Sequence, residues 1–163
     1  AKGIGNGMSS ISIANGRIYT LGVRNRNGER GVFVTALNLA DGSEAWATAI
    51  TTGGGPNPNG TPTVDGKLLY AVGNNGDLAC LETDTGKLVW KKSYSADFGG
   101  KCMSGWGYSE SPLVDGDRLI VVPDHPKFTS LPHARIGSAR SRQYRVQARL
   151  PARVKRAFRV SAV

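Results

Sequence analysis

A motif that begins three times and is completed only twice constrains this chain most. Val64-Asp65-Gly66-Lys67-Leu68-Leu69-Tyr70 recurs as Val114-Asp115-Gly116-Asp117-Arg118-Leu119-Ile120, and Ala14-Asn15-Gly16-Arg17-Ile18-Tyr19 foreshadows both. Gly16 to Gly66 and Gly66 to Gly116 are each 50 residues apart. A second element, Asp41-Gly42-Ser43-Glu44-Ala45-Trp46, returns 44 residues later as Thr85-Gly86-Lys87-Leu88-Val89-Trp90. Periods of this size belong to repeat architectures, whose units cannot bury their apolar faces alone and must stack.

One unit, Gly60 to Lys92, shows the grammar. Thr61 to Val64 reads as a short strand, Asp65-Gly66 as a hairpin turn and Lys67 to Val72 as the next strand. Asn74-Asn75-Gly76-Asp77 turns again, Leu78 to Leu81 is a third strand, and Lys87 to Lys91 a fourth after Thr83-Asp84-Thr85-Gly86. The expected fold is therefore all-β, with blades of four antiparallel strands: two complete blades and part of a third. Strands are expected near 10–14, 17–22, 33–39, 61–65, 67–72, 77–82, 87–92, 112–115 and 118–122. No stretch has a helical period.

Charge divides the chain. The formal charge is +9, yet residues 125–163 hold Lys127, Lys155, eight arginines and no acidic residue. The remaining 124 residues carry eleven basic and twelve acidic side chains, a net of −1. Residues 1–124 are read as the repeat region and 125–163 as a basic, disordered tail of low order. The tail begins where a third Gly-x-x-x-Trp is due, and an out-of-frame translation of GC-rich DNA would look like it. A genuine basic arm, binding nucleic acid or anionic lipid, is the other reading of the same residues.

Leu81-Glu82-Thr83-Asp84-Thr85-Gly86-Lys87-Leu88-Val89-Trp90 resembles the Ala-x-Asp-x-x-Thr-Gly-x-x-x-Trp signature of the pyrroloquinoline-quinone-type (PQQ-like) β-propeller repeat. The resemblance covers about residues 8–123 and implies a fragment of a larger ring. Asn38 and Glu82 stand where the family prefers Asp, and Asp41 where it prefers Thr. It implies that Gly42 and Gly86 permit the outer turn, and that Trp46 and Trp90 dock between neighbouring blades. Trp106-Gly107-Tyr108-Ser109-Glu110-Ser111-Pro112 is similar to segments of bacterial outer-membrane assembly lipoproteins. By that likeness Trp106, Tyr108 and Glu110 lie at a channel mouth where a ligand or protein binds. It also implies a periplasmic or extracytoplasmic location; the chain itself carries no signal peptide.

The function expected is a non-catalytic scaffold that binds a protein or small ligand at a propeller face, with no cofactor and no metal, and with nucleic acid an unlikely partner. The alternative is a fragment of a PQQ-dependent quinoprotein dehydrogenase, which would bring PQQ and calcium. Such enzymes need oxygen ligands for calcium, a carboxylate base and, in many members, adjacent cysteines. Here Cys80 and Cys102 are 22 residues apart. Cys80 reads as a small buried hydrophobe, with a Cys80–Cys102 disulfide left open. Asp65, Asp77, Asp84, Asp115 and Asp117 sit in polar turns, where Asp bonds its own backbone. Glu110 alone has an aromatic setting. No catalytic residue is assigned, so enzyme activity is left uncertain, leaning against.

Overall fold

The computed structural model describes residues 3–53, 57–102, 105–116, 118–123, 144–148 and 158–162. It contains two four-stranded antiparallel sheets and the start of a third. The first comprises β1 (Ser12–Ala14), β2 (Arg17–Arg26), β3 (Glu29–Asn38) and β4 (Glu44–Ala49), in that order. The second comprises β5 (Thr63–Asp65), β6 (Leu68–Val72), β7 (Asp77–Glu82) and β8 (Leu88–Ser93). A short helix α1 (Tyr94–Phe98) leaves the second sheet, and β9 (Leu113–Asp115) pairs with β10 (Arg118–Ile120). Within the basic tail β11 (Tyr144–Ala148) pairs antiparallel with β12 (Phe158–Ala162). The residues at which the third Gly-x-x-x-Trp was due, together with His125, His133 and Asp117, lie outside the described residues.

The expected strands appear close to their expected bounds, and the sheets are the four-stranded antiparallel units the repeat implied. In the tail, read as disordered, β11 and β12 form a paired element, and three details differ in residues 1–124. Glu44–Ala49 is a strand that was not expected, and α1 is a helix that was not expected. The turn after β5 is also shifted by one residue. Asp65 pairs with Leu68, so the two-residue loop is Gly66-Lys67 rather than Asp65-Gly66. In the first sheet Ala14 pairs with Arg17 around Asn15-Gly16, both with positive φ (53° and 70°), a type I′ arrangement. In the second only Gly66 is positive (56°), as a type II′ turn requires at its first position. Asn15, not Gly16, is thus the structural counterpart of Gly66.

The 44-residue element keeps its register. Trp46 pairs with Ala36 and Trp90 with Cys80, each just beyond an irregularity in pairing at the same place on its sheet. The turns that precede them are also matched. Gly42 N–H donates to Asn38 O at 2.8 Å and Gly86 N–H to Glu82 O at 2.9 Å. Two of the three family departures serve these turns in this way: Asn38 donates to the Ser43 hydroxyl (2.9 Å), and Glu82 accepts from Thr85 (2.7 Å).

Strand alternation turns successive side chains to opposite faces, and in the second sheet both faces are buried. Leu69, Ala71, Ala79 and Leu81 face the first sheet, where they join Tyr19, Leu21, Val32, Val34, Ala36 and Ile50. Tyr70, Val72, Leu78 and Cys80 face the other way and join Tyr94, Tyr108, Leu119 and Val121. The second sheet is the filling between its neighbours, as a blade requires.

Cys80 lies in that second core and Cys102 is exposed; both are thiols. Burial pushes the Cys80 thiol up from 9.0 to about 12, because the apolar core disfavours the thiolate. Between those two values the unfolded chain gives up this proton while the folded chain keeps it. The unfolded state then binds fewer protons, so the Cys80 contribution to stability should fall as pH rises through that window. A disulfide-exchange reagent should label Cys102 in the folded chain and Cys80 only after denaturation. Prompt labelling of both in native buffer would contradict the packing.

Candidate functional site

The loop between α1 and β9 carries Trp106, Tyr108 and Glu110, and its backbone is fixed from both sides. Gly107 adopts a positive φ of 76° and lies so close to the turn after β6 that a Cβ there would meet Asn74 O at 2.4 Å. Tyr108 N–H donates to the same Asn74 carbonyl at 2.9 Å. The Asn59 side chain donates to Ser109 Oγ at 2.9 Å, and Thr61 N–H donates to Ser111 Oγ at 2.9 Å. A Cβ at Gly60 would meet Glu110 O at 2.3 Å. The loop therefore seats on the segment that precedes β5. The contact repeats one blade on: the Ser12 hydroxyl donates to Pro62 O, and the Thr63 hydroxyl to Pro112 O.

The three side chains meet different fates. Trp106 is 67% exposed and Tyr108 only 5%. Tyr108 packs edge-on against Tyr94, with centroids 4.9 Å apart, and covers Gly76, where a Cβ would meet its ring at 2.7 Å. Glu110 is half-buried. Its Oε1 accepts from the Tyr94 hydroxyl and, at 3.1 Å, from Val122 N–H. That carboxylate ties α1 to the segment just after β10. What the arrangement offers is a loop seated on the neighbouring segments, with Trp106 largely exposed.

Tyr94, Asn59 and Asn74 complete this site, and no sequence signal singled them out. Tyr94 arrives through α1, whose Ser93 cap accepts from Ala96 N–H and donates its own N–H to Asp97 at 2.7 Å. The Ser93 bond and Lys92 together hold the Asp97 carboxyl below the usual carboxylate range.

The blade-docking set lies elsewhere. Trp46 Nε1–H donates to Thr83 O at 2.9 Å, on the neighbouring sheet, and its ring covers Gly86, where a Cβ would meet Cδ2 at 2.5 Å. Arg17 donates to the same Thr83 carbonyl (3.1 Å) and to Asp84 O (2.7 Å), and Thr48 donates to Gly86 O (2.7 Å). Trp46 and Trp90 are each half-buried rather than buried, against Tyr19 and Tyr70 respectively. Gly42 and Gly86 share a positive φ, 71° and 69°, but a Cβ at Gly42 would touch nothing within 4 Å.

Two acidic turn residues, Asp77 and Asp41, have local side-chain partners. Asp77 N–H donates to the Asn75 side chain (3.0 Å), and the Asp77 carboxylate pairs with Lys91 (2.9 Å). Asp41 accepts from Ser43 N–H and hydroxyl, which lowers its pKa. Among the described residues no three of His, Cys, Asp and Glu form a group able to hold a metal ion. The two cysteines, Cys80 and Cys102, are not adjacent, and both are thiols.

Comparison with known proteins agrees with the fold. The PQQ_2 family model, described as outer membrane protein assembly factor BamB, matches residues 30–150. The BamB of Salmonella typhimurium is 26% identical over 107 residues, 60% of this chain and 24% of its own length. That of Shewanella oneidensis is 36% identical over 98 residues, 56% of this chain and 22% of its own. The chain thus spans about a quarter of the length of these relatives. The structure of BamB from Moraxella catarrhalis superposes with a TM-score of 0.52 at 18% identity, over 70% of this chain and 33% of that one. A quinohemoprotein alcohol dehydrogenase from Comamonas testosteroni superposes with a TM-score of 0.51 at 16% identity, over 72% of this chain and 17% of that one. Likeness at that identity speaks for the fold and leaves the chemistry open.

Proposed function

The chain belongs to the PQQ_2 family of outer membrane protein assembly factor BamB, and from that membership we propose that it is a non-catalytic propeller segment that binds protein outside the cytoplasm. Trp106, at the mouth of the propeller channel, is its principal contact, with Tyr108 and Glu110 as the frame that holds it. Trp46 with Gly86 docks one blade on the next, and Trp90 with Gly42 serves the same purpose on the flanking blades. No cofactor enters this reading. The partner is a protein of outer-membrane assembly.

One observation carries the reading most. Trp106 is 67% exposed in a loop whose following residues are held by backbone and side-chain bonds to the neighbouring segments. Buried-anchor binding favours such residues, since a preordered Trp offers a large contact area at small entropic cost. Among the described residues no helix is long and apolar enough to cross a membrane.

The immobilised chain should retain a purified outer-membrane assembly protein, and Trp106→Ala should weaken that retention by at least about tenfold, a typical hot-spot loss. Lys87→Ala, in the exposed outer turn, should leave it unchanged. Alcohol oxidation by the chain on adding PQQ and calcium would instead support the dehydrogenase reading.

A further inference from the structure

We propose that Asn27, at the tip of the β2–β3 hairpin, is a site of spontaneous deamidation, and that it ages faster than any other Asn-Gly pair in the described structure. The chain contains five such pairs, at Asn6, Asn15, Asn27, Asn59 and Asn75. The pair is the most reactive context for an asparagine, because the following glycine leaves the attacking amide unshielded. Four of the five are restrained. Asn15 donates its side-chain amide to Gly66 O at 2.9 Å, and Asn59 donates to Ser109 at 2.9 Å. Asn75 donates to Asp77 Oδ2 (2.9 Å) while its own oxygen accepts Asp77 N–H (3.0 Å). Asn6 is bound through its backbone, donating to Val23 O (3.0 Å) and accepting from Val23 N–H (2.7 Å).

Asn27 has none of these restraints among the described interactions. It sits in a two-residue loop closed by Arg26 and Glu29, with φ of 54°, followed by Gly28 at 83°. Every residue from Asn25 to Arg30 is exposed, so the hairpin overhangs the core by this stretch. Such overhanging ends open with little free energy. Opening releases Asn27 from the left-handed conformation and lets the chain reach the geometry of attack.

The reaction needs water alone. The Gly28 amide nitrogen loses its proton to solvent and attacks Asn27 Cγ; the N–Cγ bond forms, the Cγ–Nδ2 bond breaks, and ammonia leaves with the proton. The five-membered imide that results takes up one water at either carbonyl. One opening leaves an ordinary aspartate in place of the asparagine, and the other leaves the isomer in which the backbone runs through the β-carboxyl. The isomer lengthens the backbone within a loop whose two residues set the register of ten paired positions. Either product adds a negative charge close to Glu29.

The test is peptide mapping of the folded full chain during incubation at mildly alkaline pH, with the aspartate and isoaspartate products quantified at all five pairs. Asn27 should convert about tenfold faster than the next pair, the rate factor that 1.36 kcal/mol of barrier gives. In denaturant, where the restraints are gone, the five pairs should converge. The proposal is overturned if another pair leads in the folded chain, if all five convert alike there, or if the lead of Asn27 survives denaturation undiminished.

Discussion

Gly86→Ala should destabilise the chain by about 2–5 kcal/mol, against about 1–2 kcal/mol for Gly42→Ala, where the left-handed backbone is the sole penalty. The two glycines close the same turn in successive blades with φ of 69° and 71°. The backbone penalty is therefore shared. They differ in what faces them. At Gly86 a Cβ would stand 2.5 Å from the Trp46 ring and 2.8 Å from Thr48 Oγ1, whereas at Gly42 it would meet nothing within 4 Å. Relieving that overlap means moving the indole, and with it the bond from Nε1–H to Thr83 O. The excess at Gly86 thus measures the seam between the first two blades, and urea midpoints of the two variants would read it. Equal losses at both positions would mean that Trp46 does not rest on Gly86.

Leu81→Ala and Leu78→Ala should each cost about 2–5 kcal/mol, the range for truncating a buried leucine and leaving a cavity. Both side chains are fully buried. They lie on one strand but on opposite faces, so the damage should spread in opposite directions. Leu81 packs with Tyr19, Val34 and Ile50 of the first sheet, and Leu78 with Tyr94, Tyr108 and Leu119 on the far side. Amide exchange should accelerate mainly in β2 and β3 for the first variant, and mainly in β9 and β10 for the second. Loss of protection on the same side in both would show that the middle sheet is not enclosed by its two neighbours.

How much of this was readable in advance depends on how local the cause is. The turns were legible because Asn-Gly, Asp-Gly and Thr-Gly encode their backbone within two residues. The one-residue shift at Gly66-Lys67 escaped because a type II′ loop asks for glycine only at its first position, so the neighbouring Lys67 gives no sign of belonging to it. Glu44–Ala49 was missed as a strand for a different reason. Its Ala45, Ala47 and Ala49 have weak strand preference, and the segment is extended because β3 pairs with it after the Gly42 turn. Helix α1 is five residues long, too short to show a period.

The site was legible only in part. Trp106, Tyr108 and Glu110 stood out as a run, but nothing in the run says that Tyr108 turns inward while Trp106 stays out. The Tyr94–Glu110 bond joins residues 16 apart through a helix and a loop. The seam at Thr83 joins Arg17, Tyr19 and Trp46 across two sheets. Such pairings are set by how blades stack, which a single repeat does not encode. The stacking itself was implied by the period, because each unit has apolar residues on both faces of its middle strands.

The central claim is that consecutive four-stranded blades lie face to face, with the tryptophan of one seated on the turn of the next. The direct measurement is a nuclear Overhauser spectrum of the folded chain, read at Trp46 and Gly86. The structure predicts cross-peaks from the Trp46 ring protons to the Gly86 α-protons, with the latter shifted upfield by the ring lying over them. Gly86 α-protons at their unshifted position, with no cross-peak to Trp46, would contradict the blade-on-blade arrangement.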